Sequence, residues 1–321
     1  MAKALYVGVD VGGTKISAAL VRSDGKILAR EKTSTPKGAG PKRILRVIEG
    51  IVRDAVSEGG RKLKDLRGIG VGAPGIVEPE GGRILAAPNI DLEGVPVAAK
   101  LRKRLGVGVI LGNDVNLGTL GEQWLGAGKG AENVVAIFPG TGVGGGAIVA
   151  GKLMLGAHGA AAELGHIVVD PMGPACGCGN RGCLEALASR GAIEREIRRA
   201  IRSGEKSIVT ELAAGRLDVI KSKVIAKALK RKDPLVTRVV RRASEALGSA
   251  CVTLRHAFDP ELFVFGGGLI EACGDFILPV VRKSLEGDPL FRKVPACRAV
   301  PSRLGDDAVI LGAVALAKET F

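Results

Sequence analysis

The sequence predicts an α/β protein built from two similar halves that face each other across a cleft. Strands and helices alternate after three initial strands, which favours a mixed sheet covered by helices. A strand–glycine turn–strand unit occurs twice, once from Val7 and once from Val135, and this faint repeat indicates two related halves. With 321 residues, 46% of them apolar, the chain is long and apolar enough to bury a core in each half.

The elements of the first half follow from apolar periodicity and turn residues. The Ser23–Lys26 turn predicts a hairpin, and Pro41 stands at the start of a segment whose apolar residues recur on one helical face. The predicted strands are 4–10, 15–22, 27–33, 67–72 and 107–112, and the predicted helices are 41–57, 96–105 and one from about 115.

The second half is expected to be mainly helical over 183–258 and to contain a buried strand at 261–265 with a helix after it. A last helix, about 306–319, is expected to return to the first domain. We therefore divide the chain into a small α/β domain, 1–116, completed by about 304–321, and a larger α/β domain, 117–303.

The net charge and the small number of aromatic residues indicate which kinds of partner the protein can bind. Lys and Arg outnumber Asp and Glu by 47 to 33, and the net charge of +14 favours an anionic partner. The basic stretches Arg195–Arg202, Lys221–Lys232 and Arg238–Arg242 lie among apolar residues at helical spacing, as solvated helix faces do. Because few aromatic residues are available to stack on bases, we expect no nucleic-acid partner.

The sequence also argues against secretion and membrane insertion. The N-terminal residues run directly into a predicted strand and show no signal-peptide pattern. An uncharged run from Val134 to Gly151 reaches 18 residues, but Pro139 and six glycines exclude a regular membrane helix. We expect a cytoplasmic protein.

Two glycine-rich hairpins predict a site for phosphate groups. They are Asp10–Lys15 and Gly140–Gly146, and each contains a Thr hydroxyl beside glycines whose backbone N–H groups can approach phosphate oxygens. Asp10, at the end of a strand, could hold Mg²⁺. One such hairpin would be an ordinary tight turn, but two, with a third glycine run at Gly266–Gly268, favour ligand binding.

Asp114 has two interpretations of equal weight. It follows a predicted strand, where open α/β sheets bind ligands, and could accept a proton from an alcohol that attacks a phosphate. The segment Asn113–Asn116 also precedes a helix, and Asn and Asp are favoured helix N-caps. Local sequence does not separate these roles.

A cysteine cluster predicts a structural metal site. Cys176, Cys178 and Cys183 lie close together, and His166 precedes them by ten residues. This Cys₃His set suits a closed tetrahedral Zn²⁺ site without catalytic function. Alternatively, His166 is a solitary core histidine, but the nearby cysteines make this interpretation weaker.

Taken together, these segments resemble the ROK family (repressors, open reading frames and sugar kinases) over essentially the whole chain. The resemblance rests on an ordered set of motifs. They are DVGGTK from Asp10, GAPG from Gly72, NDVN from Asn113, GTGVGGG from Gly140, ELGH from Glu163 and CGCGNRGCLE from Cys176. Repressor members carry an N-terminal helix-turn-helix, whereas the first strand predicted here begins at residue 4, so we expect a member of the kinase branch.

The resemblance implies an actin-like ATPase (ribonuclease H-like) fold of two domains that close over ATP and a sugar. It implies that Asp114 is the catalytic base and that His166 contacts both zinc and sugar. The residues implied to bind sugar are Asn89, Asn113, Asp114, Glu163, His166 and Glu185. Those implied to bind Mg²⁺ and nucleotide are Asp10, Gly12, Gly13, Thr14, Lys15, Gly140, Thr141, Gly142, Gly267 and Gly268.

The implied reaction is transfer of the γ-phosphate of ATP to the 6-hydroxyl of glucose, by a homodimer or higher homo-oligomer. Fructose, mannose, N-acetylglucosamine and N-acetylmannosamine stay open as acceptors, because pocket geometry decides between them. Polyphosphate stays open as a donor, given the net charge. From another class, a sugar-sensing regulator without turnover is the alternative.

Overall fold

A computed structural model describes residues 3–79, 82–87 and 90–321 of the protein. Strands and helices alternate along the chain, as expected for an α/β protein. The strands are β1 (Leu5–Val11), β2 (Lys15–Arg22), β3 (Ile27–Ser34), β4 (Leu66–Ala73), β5 (Ile76–Val77), β6 (Ile84–Ala86), β7 (Val109–Asn113), β8 (Val134–Pro139), β9 (Val143–Val149), β10 (Lys152–Leu153), β11 (Leu262–Phe265) and β12 (Arg298–Pro301). The helices are α1 (Gly40–Glu58), α2 (Val97–Leu105), α3 (Asp114–Leu125), α4 (Leu184–Ala188), α5 (Arg190–Arg202), α6 (Val209–Leu212), α7 (Ser222–Lys230), α8 (Pro234–Phe258), α9 (Gly268–Glu286) and α10 (Ala308–Thr320).

Two five-stranded sheets of the same topology organise these elements. The first has the order β3-β2-β1-β4-β7 and the second the order β10-β9-β8-β11-β12. In each sheet the first three strands in sequence pair antiparallel, and the last two add in parallel beside the first. The faint sequence repeat is therefore a real structural repeat, in which β1 and β8 occupy equivalent central positions.

The predicted bounds of the long strands and helices agree closely with the observed ones. Helix α1, for example, buries Ile44, Ile48, Ile51 and Val52, which are the apolar positions that predicted it. The small ribbon β5–β6 and the edge strands β10 and β12 were not predicted. Each is only two to four residues long, too short to show an alternating pattern.

The two sheets bury separate apolar cores. In the first, β1, β2 and β4 pack against α1 and α2, with Val9, Ile69 and Leu101 fully buried. In the second, Phe263 and Phe265 of β11 share a core with helices α5, α8 and α9. Within the described residues, no helix is both long enough and apolar enough to cross a membrane.

Helix α10 lies unusually close to the first sheet because glycines face it. A Cβ built on Gly8 of β1 would lie 2.2 Å from the carbonyl oxygen of Ile310, and one on Gly70 of β4 would lie 1.9 Å from that of Ala313. Side chains at these positions would clash with the helix backbone, so only glycine permits this spacing.

Helices α3 and α10 cross at a second pair of glycines. A Cβ on Gly121 would lie 2.1 Å from the carbonyl oxygen of Ala308, and one on Gly312 would lie 1.7 Å from that of Leu117. The two backbones are thus in direct contact. Helix α3 also packs against β9 of the second sheet, so this crossing joins the two halves of the molecule.

Gly312→Ala is expected to destabilise the protein by about 3 kcal/mol or more, because the new methyl group overlaps a backbone carbonyl that cannot rotate away. Chemical denaturation of the variant and the wild type measures this change in the free energy of unfolding.

Gly50→Ala is the matched control. Gly50 lies within helix α1, and a Cβ there meets no atom within 4 Å. This variant should be neutral or more stable by up to about 1 kcal/mol, since Ala favours helix over Gly. Equal unfolding free energies for the two variants would contradict the close-crossing account.

Candidate active site

The first glycine hairpin follows strand β1. The N–H of Gly12 donates to the carbonyl oxygen of Lys15 at 2.9 Å and closes the turn. Buried Thr35, after β3, donates its hydroxyl to the carbonyl oxygen of Gly12 at 2.6 Å, and its N–H donates to that of Thr14 at 3.1 Å. Thr35 therefore stabilises the hairpin through two hydrogen bonds. No sequence motif indicated this role.

The second hairpin, after β8, is held by the segment that enters helix α5. The N–H of Gly140 donates to the carbonyl oxygen of Gly142 at 2.8 Å. Arg190 donates from its backbone N–H to the carbonyl oxygen of Gly140, and from its guanidinium to the Thr141 hydroxyl at 2.8 Å. Glu185 accepts the N–H of Val143 at 2.9 Å through Oε2. Glu185, which was predicted to bind sugar, thus contacts this hairpin, and neither this contact nor the role of Arg190 was predicted from the sequence.

Geometry separates the two interpretations of the segment before helix α3. Asn113 is the N-cap, because its Oδ1 accepts the N–H of Asn116 at 2.9 Å, and its amide donates to the carbonyl oxygen of Gly75 at 2.9 Å. Asp114 is the first residue of the helix, and its Oδ1 accepts the N–H of the adjacent Val115. Capping is therefore carried out by Asn113, and Asp114 is available for chemistry.

A cleft of about 840 Å³ brings Asp114 and both hairpins together. Its lining includes Gly13 and Thr14 from the first hairpin and Thr141 from the second. Lys37, from the loop after β3, also lines it. Residues of both glycine hairpins, each with a Thr, therefore meet a carboxylate residue at one space, which is an arrangement suited to a phosphate-bearing ligand.

Asp114, which lines this cleft, and the nearby Asp10 both have raised pKa values. Burial, and then the charge of Asp114, raise the pKa of Asp10 to about 7, although Lys15 acts in the opposite direction. Burial raises the pKa of Asp114, the N–H of Val115 partly offsets this, and the charge of Glu163 raises it further. Two desolvated carboxylates near each other favour a bound cation, and Asp10 offers the hard oxygen ligand that Mg²⁺ prefers.

His166 ends a short 3₁₀ turn, Leu164–His166, beside the second sheet, and Glu163 is the residue directly before that turn. Ala162, directly before Glu163, has a φ of +60°, a left-handed conformation that a residue with a side chain rarely adopts. The N–H of Leu164 donates to the carbonyl oxygen of Ala162 at 2.7 Å. A strained turn of this kind sets the direction from which Glu163 leaves the backbone.

The four predicted metal ligands converge. The ligand atoms of His166, Cys176, Cys178 and Cys183 all lie within 4.8 Å of one another. His166 Nδ1 is 3.7 Å from Cys176 Sγ, and Cys178 Sγ is 3.7 Å from Cys183 Sγ. Tetrahedral zinc with Zn–S bonds of about 2.3 Å separates its sulfur ligands by about 3.8 Å, so these residues fit the ion.

A second cavity, of about 260 Å³, lies between the start of helix α9 and the segment after β12. Its lining includes Gly266, Glu271, Asp275, Ser302 and Gly305. Gly267 is the N-cap of α9 with a φ of +80°, and Gly268 begins the helix. The third glycine run therefore borders a pocket of its own, separate from the lining of the larger cleft.

Of the predicted site residues, the cleft lining includes Gly13, Thr14, Asp114 and Thr141, whereas His166 belongs to the cysteine cluster and the third glycine run reaches the second cavity through Gly266. Lys15 of the first hairpin contacts the segment after β12, where its Nζ donates to Asp306 at 3.0 Å. Asn89 lies outside the residues that the structure describes, so its predicted sugar contact stays a prediction.

Comparison with known proteins gives a consistent result. The model of the ROK family matches residues 6–320. A glucokinase of Thermotoga maritima is 38% identical over 99% of both chains. A solved ROK glucokinase of Streptomyces griseus, in complex with glucose and AMPPNP, is 36% identical with a TM-score of 0.83, covering 98% of this chain and 99% of that one. A xylose repressor of Caldicellulosiruptor bescii is more distant, at 28% identity over 97% of this chain and 77% of its own length.

These matches extend along nearly the whole sequence rather than over a single motif. They confirm the predicted fold, because the two sheets and their helices superpose on a sugar kinase of the actin-like class. The chain belongs to the ROK family.

Proposed function

We propose that the protein is a glucokinase, an ATP:hexose 6-phosphotransferase that transfers the γ-phosphate of ATP to the 6-hydroxyl of glucose. The observation that carries this proposal is the single cleft in which Asp114 meets two glycine hairpins with their Thr hydroxyls. The glucokinases among its relatives, similar over nearly the full length, support the same reaction.

The donor nucleotide is assigned to the hairpins and the second cavity. In this proposal the N–H groups and hydroxyls at Gly12–Lys15 and Gly140–Gly142 bind the phosphates. The adenosine is assigned to the cavity beside helix α9, which Gly266 lines, with Gly267 and Gly268 as the residues that bind it. Asp10 would hold Mg²⁺, which neutralises phosphate charge when bound. The raised pKa of Asp10 supports this assignment, since a cation relieves the cost of ionising a buried carboxylate.

Asp114 acts as general base. It accepts the proton of the 6-hydroxyl while O6 forms a bond to the γ-phosphorus and the bond from that phosphorus to the bridging oxygen breaks, releasing ADP. Burial raises the pKa of Asp114 above its usual value, which makes its carboxylate a stronger base. Positioning and electrostatic stabilisation supply most of the remaining rate enhancement.

The remaining sugar hydroxyls are assigned to Asn89, Asn113, Glu163, His166 and Glu185. Asn113 and Glu185 also hold neighbouring backbone groups, so each would fix the pocket and bind sugar with its remaining hydrogen-bonding capacity. A zinc ion held by the Cys₃His set would orient His166 toward the sugar, because metal ligation of one ring nitrogen sets the direction of the other.

The proposal also covers the division into domains, the cellular location and the oligomeric state. The division at 116/117, with 304–321 returning to the first domain, is supported by the packing of α10 on β1 and β4. Use of ATP and reduced zinc-ligating thiols is typical of the cytoplasm. A homodimer or higher homo-oligomer stays a prediction from the family resemblance.

Asp114→Asn is expected to lower kcat by about 10² to 10⁴-fold, because the amide cannot accept the hydroxyl proton. Glucose should still bind, since the replacement preserves shape. Coupled assay of ADP release from Mg·ATP measures kcat, and titration of glucose measures binding. Asp54→Asn, on the exposed face of helix α1, is the control and should retain full activity.

A panel of hexoses, fructose and N-acetylhexosamines in the same assay decides the acceptor. Preference for an N-acetylated sugar would keep the mechanism and change the substrate, and turnover with polyphosphate in place of ATP would change the donor. Sugar binding without any phosphoryl transfer would overturn the proposal in favour of the sensing regulator.

Protein purified without added metal is expected to contain one zinc per chain. Cys183→Ser should lose that zinc and unfold at lower temperature, because Cys183 is the fully buried ligand of the set. Elemental analysis and thermal unfolding measure the two effects. Cys273→Ala, which removes a buried thiol outside the cluster, should keep its zinc. Wild-type protein that is fully active with far less than one zinc per chain would refute the assignment.

A further inference from the structure

Helix α3 carries a buried carboxylate that the reaction described above does not use. Glu122 is fully buried and accepts hydrogen bonds at both of its oxygens. Oε1 accepts the hydroxyl of Ser302 at 2.5 Å and the N–H of Leu304 at 2.9 Å. Oε2 accepts the N–H of Ala127 at 2.7 Å, and the N–H of Arg303 is 3.1 Å from Oε1 and 3.2 Å from Oε2.

The segment held in this way forms part of the nucleotide cavity. Ser302 lines that cavity beside Phe265 and Gly266, and its N–H donates to the carbonyl oxygen of Phe265 at 2.6 Å. Gly305, directly after the segment, lines it as well, and its N–H donates to the Ser302 hydroxyl oxygen at 3.2 Å. The position of this part of the cavity wall therefore depends on the hydrogen bonds that Glu122 accepts.

The same segment reaches the first glycine hairpin. It continues into a 3₁₀ turn, Gly305–Asp307, in which Asp306 pairs with Lys15 at 3.0 Å. Helix α3 begins at Asp114, two turns before Glu122. One helix thus carries the proposed base at its start and the anchor of the nucleotide cavity near its end.

We propose that Glu122 is a positioning residue for the nucleotide, which holds Ser302–Leu304 against the end of β11 and so fixes the wall of the cavity to which the nucleotide binds. The carboxylate suits this task because it accepts several N–H and O–H donors at once, and charge-assisted bonds of this kind are stronger than neutral ones. The inference rests on the proposed function, since it assumes that the cavity binds the nucleotide.

Glu122→Gln tests this role. The new amide presents an NH₂ group toward backbone N–H donors, so it cannot hold all of them and the segment should shift. We expect the Kd for Mg·ADP, measured by calorimetric titration, and the KM for ATP to rise about tenfold. The KM for glucose should change by less than about twofold, which separates this effect from general loss of structure.

Asp233→Asn is the matched control. Asp233 is also buried, and its carboxylate accepts the hydroxyl of Ser207 and the N–H groups of Ile208 and Val236, away from both cavities. Asp233→Asn should lower the melting temperature as Glu122→Gln does, and it should leave the Kd for Mg·ADP unchanged. Should Glu122→Gln fail to fold, Ser302→Ala removes the hydroxyl that donates to Glu122 and accepts the N–H of Gly305, and it should weaken nucleotide binding severalfold.

The outcomes are distinct. An unchanged Kd for Mg·ADP in folded Glu122→Gln, or in Ser302→Ala where the first variant does not fold, overturns the positioning role and leaves the proposed function intact. Equal loss of affinity in Asp233→Asn also overturns it, because the effect is then one of stability. Failure of the wild-type protein to bind Mg·ADP overturns the proposed function itself.

Discussion

The close contact of helix α10 with the first sheet and with helix α3 is the constraint on which the remaining structure depends. Gly8 and Gly70 allow the helix backbone to lie against the sheet, and Gly121 and Gly312 allow the two helices to touch. A side chain at any of these positions would separate the layers and move α3 away from β1. Asp114 begins α3 directly after β7, and the first hairpin follows β1 in the same sheet, so this packing supports the elements that carry the proposed base and one phosphate-binding turn.

The repeated topology explains why chemistry is concentrated at one place. Strands β1 and β8 are central in their sheets, and each is followed by a glycine hairpin. Because the two sheets have the same strand order, the hairpins emerge at equivalent positions and both line one cleft. The same arrangement brings two carboxylates into a desolvated space, which accounts for the raised pKa values of Asp10 and Asp114.

Sequence reasoning succeeded where a signal is local. The apolar period of α1, the glycine hairpins and the cysteine cluster all lie within short windows, and the structure brings their residues into the predicted places. It left Asp114 undecided, because Asn113 and Asp114 fit the cap position equally well and only geometry separates them. The ring of Phe138, before the second hairpin, packs against Gly266 at a distance of more than 100 residues along the chain, a contact that no local pattern indicates. The partners of Glu122 in Ser302–Leu304 lie 180 to 182 residues away, beyond any local pattern.

The position of α10 has a consequence for the order in which the protein is made. Residues 308–320 pack on β1 and β4, which belong to the first quarter of the chain. During vectorial synthesis on the ribosome, the inner surface of the first sheet therefore stays uncovered until residues 308–320 have emerged. The second sheet, whose strands and helices lie between residues 134 and 301, can acquire its core earlier. The half of the molecule that is synthesised first therefore completes its fold last. Until then, nascent chains of this protein expose the glycine-lined face of the first sheet.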